Sequence, residues 1–243
     1  MTEPSRLHVV TGASAGMGAS CVRALADRGD QVVAVARRAG VLDELWGDRD
    51  TVRIVAADVG TAADRDAIVA AVAELASGPV TSLIHGAATA VDLEPWTELD
   101  ADQLTAHFNV HVAAAVALTG SLHQEVGLER CVIFDSYSAS NPRVGWSAYS
   151  ILKAAAQMAF RAAADELDDV AIARVFPGAV GTPLLDRVLA APRSIQATDV
   201  YHELNDTDRV STPDEIADEL LPILDRSPEE LRAQDTWAIG HPA

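Results

Sequence analysis

The chain has 243 residues, 49% of them hydrophobic, and 36 acidic against 18 basic side chains give a formal net charge of −18. Such a surface repels nucleic-acid phosphates and anionic lipids, and no apolar run approaches the ~18–20 residues that span a bilayer. The opening MTEPSRLHVV has no basic segment and apolar core of a signal peptide, so a cytoplasmic protein with no nucleic-acid or membrane partner is expected.

Taken in chain order, apolar β-branched runs alternate with Ala-rich helical patterns. RLHVV leads into GASCVRALADRG, then QVVAVA and a short helix around VLDELW. TVRIVAAD, the helix AADRDAIVAAVAELAS and the strand VTSLIHG follow. One long helical region is predicted over DADQLTAHFNVHVAAAVALTGSLHQEV, then RCVIFDS, the helix WSAYSILKAAAQMAFRAAADEL and VAIARVFPG. The strands read as nearly continuous apolar runs, the mark of a parallel sheet covered on both faces. Repeated β-α alternation predicts one doubly wound α/β domain over residues 1–243, with a parallel sheet of about seven strands. The stretch from Pro183 to Pro213 is long for a connection inside a compact domain and reads as a substrate lid with helix of its own. Thr212 is a natural N-cap and Pro213 a first-turn residue for the helix TPDEIADELLPILDRS, and TWAIG reads as a last strand. Cys21 and Cys131 each fall in an apolar element, so buried reduced thiols are expected, with neither disulfide nor metal cluster.

The first strand runs into VVTGASAGMGAS, with Gly12, Gly16 and Gly18 spaced G-x-x-x-G-x-G. A turn without side chains lets backbone N–H groups approach a pyrophosphate at a helix N-terminus. Position gives the motif its weight, because it follows the first strand and opens the first helix. Cofactor choice should lie at the end of the second strand, where an acid would bind a ribose 2′-hydroxyl and repel a 2′-phosphate. Ala36 stands there, followed by Arg37 and Arg38. Two arginines at that place in so acidic a chain favour NADP(H), Arg37 being the stronger candidate, with NAD(H) still possible. A solvated basic pair is the bland alternative.

These residues resemble the short-chain dehydrogenase/reductase family. The turn TGASAGMG, with Ser14 and Met17, is similar to that family's cofactor turn, and ADV, with Asp58 and Val59, to its adenine contact. FNVHV supplies a helix asparagine, Asn109, and DS at Asp135 and Ser136 ends the strand that presents a catalytic serine. YSILK gives Tyr149 and Lys153, and PGAVGT, with Pro177, Gly178, Val180 and Thr182, resembles the stretch that holds the nicotinamide amide. LTAHFNVHVAAAVALTGSL and FPGAVGTPLLD are most similar to sepiapterin- and benzil-reductase-type members. One departure is plain. The family has Asn-Asn-Ala-Gly after its fourth strand, where this chain has His85-Gly86-Ala87-Ala88; Gly86 and Ala87 still permit close approach to a cofactor, but the bracing asparagine is gone.

The resemblance implies a nicotinamide-dependent carbonyl reductase or alcohol dehydrogenase. Carbonyl reduction needs a hydride donor, a proton donor and hydrogen bonds to the developing oxyanion. Tyr149 would give the proton, and its ordinary pKa of ~10 should fall beside a cation. Lys153 lies four residues on, on the same helical face, and is the only lysine in the chain. Ser136 would donate to the substrate oxygen, and the resemblance gives Asn109 a relay water beside Lys153. Tyr137, Val144, Trp146, Leu184, Leu185 and Val188 would line an apolar substrate pocket. His107 and His111 have the i, i+4 spacing of metal ligands, but no third ligand accompanies them, and a structural role is expected. A silent nucleotide-binding sensor is the reading from another class, and intact Tyr149, Lys153, Ser136 and Asn109 weigh against it. Family members commonly assemble through two long helices, so a homodimer or homotetramer is expected.

Overall fold

The computed structural model describes residues 6–191, 198–234 and 236–241. Seven strands form one sheet, all neighbours parallel: β1 (Leu7–Thr11), β2 (Gln31–Ala36), β3 (Val52–Ala56), β4 (Ser82–His85), β5 (Arg130–Phe134), β6 (Ala171–Phe176) and β7 (Thr236–Ala238). Their order is β3-β2-β1-β4-β5-β6-β7. The chain thus builds outward from β1 in one direction, then returns to place β4 on its other side. That reversal leaves a crevice beyond the C-terminal ends of β1 and β4, where this architecture takes ligands.

Alternation along each strand divides the core in two. On β1, Val10 joins a cluster with Leu25 of helix α1 (Gly16–Asp27) and Ile216 and Leu220 of helix α9 (Pro213–Leu224). Val9, one residue earlier, packs on the other face with Ile68 of α3 (Ala62–Leu75), Leu118 of α5 (Ala114–Glu125) and Phe160 of α6 (Ser147–Glu166). Both faces of the central strands are therefore apolar, which is why their sequences do not alternate. Cys21 and Cys131 lie in these two clusters as free thiols, pushed up to about 12 by burial.

The helix ends follow their local chemistry. The Thr212 hydroxyl accepts from the Glu215 amide while the Glu215 carboxylate accepts from the Thr212 amide, a reciprocal cap that opens α9. Ser227 and Glu230 repeat it for a short helix, α10 (Pro228–Arg232), which the strand-and-helix reading passed over. The long helical region runs from Ala101 to Glu125 and widens midway: α4 (Ala101–Phe108) and α5 are joined by a π turn, Asn109–Ala113. The remaining helices are α2 (Ala39–Trp46), α7 (Pro183–Ala190) and α8 (Asp199–Asp206). Among the described residues no helix is long and apolar enough to cross a membrane.

Candidate active site

The glycines of the first turn are set by close approach. Gly12 has φ +75°, and a Cβ on it would lie 2.5 Å from the Gly86 carbonyl oxygen. Gly86 in turn faces the Thr11 carbonyl, where a Cβ would come within 2.9 Å. The turns after β1 and β4 thus press backbone to backbone, and glycine at 86 keeps them together. Gly16, at φ +54°, opens α1 beside Thr182. Gly18 is buried under the turn, with Gly12 O 2.4 Å from where its Cβ would be.

A groove of about 300 Å³ runs from this turn across the ends of β2 and β3. It is lined by Gly12, Ser14, Gly16, Met17, Arg37, Arg38, Asp58, Val59 and Ala87. Arg38 donates to the Ser14 hydroxyl at 3.0 Å, so one arginine is tied to the turn while Arg37 stays exposed at the groove wall. The side-chain-free cradle, the helix opening on it and the two cations suit a dinucleotide diphosphate.

Met17, Thr182 and Leu184 also line a second cavity of about 740 Å³. Ser136, Tyr149 and Lys153 stand on its wall with Pro177, Gly178 and Val180. Tyr137, Trp146, Leu185 and Val188 line it as expected, whereas Val144 is 72% exposed and outside it. The sequence reading missed Arg143, Val200, Tyr201 and Leu204 of this wall. Arg143 could have been found from its place between Ser136 and Tyr149. Tyr201 could not, because it arrives on α8 from a distant part of the chain. Helices α7 and α8 roof the cavity, with Trp146 stacked on Tyr201 at 5.2 Å. Residues 192–197 of the expected lid lie outside the described residues.

Burial pushes Tyr149 up to about 12, the nearby Ser136 hydroxyl offsetting part of this and Asp135 adding to it. The expected lowering by Lys153 does not outweigh burial: the ammonium lies over the face of the ring, 5.7 Å from its centroid, and donates to the Phe134 carbonyl at 2.7 Å. Burial also brings Lys153 down to about 8, opposed by the Asp135 charge. Asp135 itself accepts from the Ser136 amide at 2.7 Å, from Gln157 at 3.0 Å and from Arg174 at 3.2 Å, locking the turn that presents Ser136.

Asn109 is exposed at the start of the π turn, and no side-chain hydrogen bond ties it to Lys153 among the described residues. The buried ring of that turn is His111, close enough to feel the Lys153 charge. Its Nε2 lies 3.0 Å from both the amide and the carbonyl of Thr89, and the Thr89 hydroxyl lies 2.5 Å from His107 Nδ1. His85 braces the other side: Nε2 lies 3.0 Å from the Val110 carbonyl and Nδ1 3.0 Å from the Thr11 hydroxyl, which accepts from the Ala87 amide. A π turn frees a carbonyl from the helix ladder, and this histidine takes it up. Burial holds His85 at about 4 and His111 at about 3, so both are neutral at pH 7. Among the described residues no cluster of three or more metal-ligating side chains occurs.

The family model described as short chain dehydrogenase matches residues 6–192. The chain belongs to the short-chain dehydrogenase family. It is similar to benzil reductase ((S)-benzoin forming) of Bacillus subtilis, 26% identical over 94% of this chain and 97% of that one. It is also similar to sepiapterin reductase of Xenopus laevis, 31% identical over 74% of this chain and 75% of that one. L-sorbose reductase of Gluconobacter frateurii, solved with NADPH and L-sorbose, shares the fold: the TM-score is 0.80 at 24% identity, covering 98% of this chain and 96% of that one. As a short-chain dehydrogenase the chain is an NAD(P)-dependent oxidoreductase acting on CH–OH or C=O groups.

Proposed function

We propose that this short-chain dehydrogenase reduces a ketone or aldehyde with NADPH. The observation that carries the reading is the placement of Ser136, Tyr149 and Lys153 where the glycine-turn groove meets the apolar cavity. The groove residues Gly12, Ser14, Gly16, Met17, Asp58, Val59 and Ala87 would hold the dinucleotide, with Arg37 and Arg38 against a 2′-phosphate and Pro177 to Thr182 at its far end. A reduced nicotinamide bound there supplies the hydride. Ser136 and Tyr149 then converge on the substrate oxygen, and Tyr149, protonated throughout the physiological range, gives up its proton as negative charge develops. The Lys153 ammonium stabilises the phenolate left behind.

Proton resupply passes through the π turn in this reading. His111 stays neutral and can exchange one N–H for the other, since Thr89 offers its Nε2 both a donor and an acceptor. Thr89 joins it to half-buried His107, nearer solvent. The role expected of Asn109 moves to this trio. The exposed Phe108, Val116 and Met158 of α4, α5 and α6 support assembly of two or four copies, which sedimentation would show as a dimer or tetramer.

NADPH oxidation against a panel of ketones, diketones and aldehydes tests the proposal. Turnover that falls ~10²–10⁴-fold in Tyr149→Phe with NADPH affinity retained supports it. Tight NADPH binding without turnover on any carbonyl makes the protein a sensor; turnover only of alcohols with NAD⁺ reverses cofactor and direction.

A further inference from the structure

Arg143 is an unexpected occupant of the substrate cavity. It sits in the loop between Ser136 and α6, partly buried, on the wall that also carries Ser136, Tyr149 and Trp146. Its guanidinium lies 5.6 Å from the ring centroid of Tyr137 and 5.9 Å from that of Tyr201. Such contacts hold the planar cation in place and strip part of its water. The chain has 36 acidic side chains against 18 basic ones, yet no carboxylate among the described residues pairs with Arg143. Among the described residues the one carboxylate on the cavity wall, Asp135, is already bound to Arg174, Gln157 and the Ser136 amide. The cavity therefore presents two cations, Lys153 and Arg143, with Asp135, Ser136, Thr182 and His241, to a space otherwise walled largely by aromatic and aliphatic side chains. Lys153 is committed to the Phe134 carbonyl beneath the tyrosine ring, which leaves Arg143 to meet a ligand.

We infer that the substrate is an aromatic oxo acid, whose carboxylate Arg143 takes while Ser136 and Tyr149 hold the carbonyl oxygen. A carboxylate matches the guanidinium fork two bonds at a time, and an aryl group suits the Trp146–Tyr201 stack. This rests on the reductase reading above and adds the substrate class to it. The reaction stays balanced as for any ketone: hydride from NADPH to the carbonyl carbon, a proton to the oxygen, the carboxylate unchanged.

The experiment uses the enzyme with NADPH and two oxo acids, phenylglyoxylate and 4-oxo-4-phenylbutanoate, each beside its methyl ester. The parent should favour at least one acid over its ester in kcat/KM. Arg143→Gln should lower that acid's kcat/KM roughly ten- to a hundredfold, mostly through KM, and leave the ester within about threefold. Arg143→Lys should recover only part, because an ammonium lacks the fork. Equal losses for acid and ester, or a parent that prefers both esters, overturn the inference while the reductase reading stands. If neither acid nor ester is turned over, calorimetry of benzoate binding to the NADP⁺ complex decides. Binding lost in Arg143→Gln keeps the anion site but overturns the oxo-acid substrate, the reductase reading being decided by the wider carbonyl panel; no binding to the parent overturns the anion site as well.

Discussion

At the scale of residues, the single lysine carries the sharpest test. Lys153 titrates near 8, and Tyr149 near 12, so the charge that changes in the working range is the lysine's. In the reductive direction kcat/KM should fall as pH rises through about 8, because the ammonium that stabilises the phenolate is then lost. Lys153→Arg keeps a charge that does not titrate; the limb near pH 8 should vanish, and turnover should drop because a planar guanidinium cannot donate to Phe134 from the same seat. A pH-rate profile of both proteins checks this, and an unchanged limb in the variant would assign it to another group. Arg37 and Arg38 differ in a way the sequence could not show. Arg38 already bonds Ser14, whereas Arg37 is exposed at the groove. Arg37→Ala should weaken NADPH binding roughly ten- to a hundredfold and leave NADH nearly unchanged. Fluorescence titration with both cofactors measures it, and equal losses would refute a 2′-phosphate role.

At the scale of elements, the π turn and the α7–α8 pair are where function departs from regular structure. Removing the His111 ring breaks the Thr89 link while leaving Ser136, Tyr149 and Lys153 in place. His111→Ala should cut kcat about tenfold or more with little change in NADPH affinity, and Thr89→Val should follow it; general acid–base groups contribute on this order or above. A solvent isotope effect on kcat that grows in both variants would locate the loss in proton delivery, whereas a fall in NADPH affinity alone would point to a structural role. Helices α7 and α8 contribute Leu184, Leu185, Val188, Val200, Tyr201 and Leu204 to the cavity, so their packing depends on what fills it. Hydrogen exchange of α7 and α8 should slow when NADPH and a ketone bind together. Equal protection with and without ligands would make this pair a fixed roof.

At the scale of the whole molecule, burial of the Lys153 ammonium should cost the fold stability. The unfolded lysine titrates near 10.5 and the folded Lys153 near 8, so the unfolded state binds more protons between those values. Stability should therefore rise with pH across that window, and below it the cost of the buried charge is constant. Lys153→Met should raise the denaturant midpoint at pH 7, flatten the rise above pH 8 and abolish turnover; a lower midpoint would show that the Phe134 bond outweighs desolvation. Much of this architecture was legible in the chain. The apolar runs marked the strands because the central strands of this parallel sheet are buried on both faces, and Thr212 and Pro213 announced α9 because capping is local. Gly12, Ser136, Tyr149 and Lys153 were singled out as candidates from their neighbours in sequence, and the fold sets them on the walls of the two adjoining cavities. What tertiary structure alone decided lies across long separations. His85 reaches a carbonyl in the π turn, so the missing asparagine is answered by a residue that looked like a departure. A one-residue widening of the helix ladder leaves Asn109 exposed and buries His111 in the same turn. Val144 turns to solvent while Arg143 beside it turns into the cavity, and Tyr201 arrives to meet it from α8. Periodicity records which face of an element is apolar, but the meeting of two faces depends on the angle at which elements pack, and no local pattern carries that.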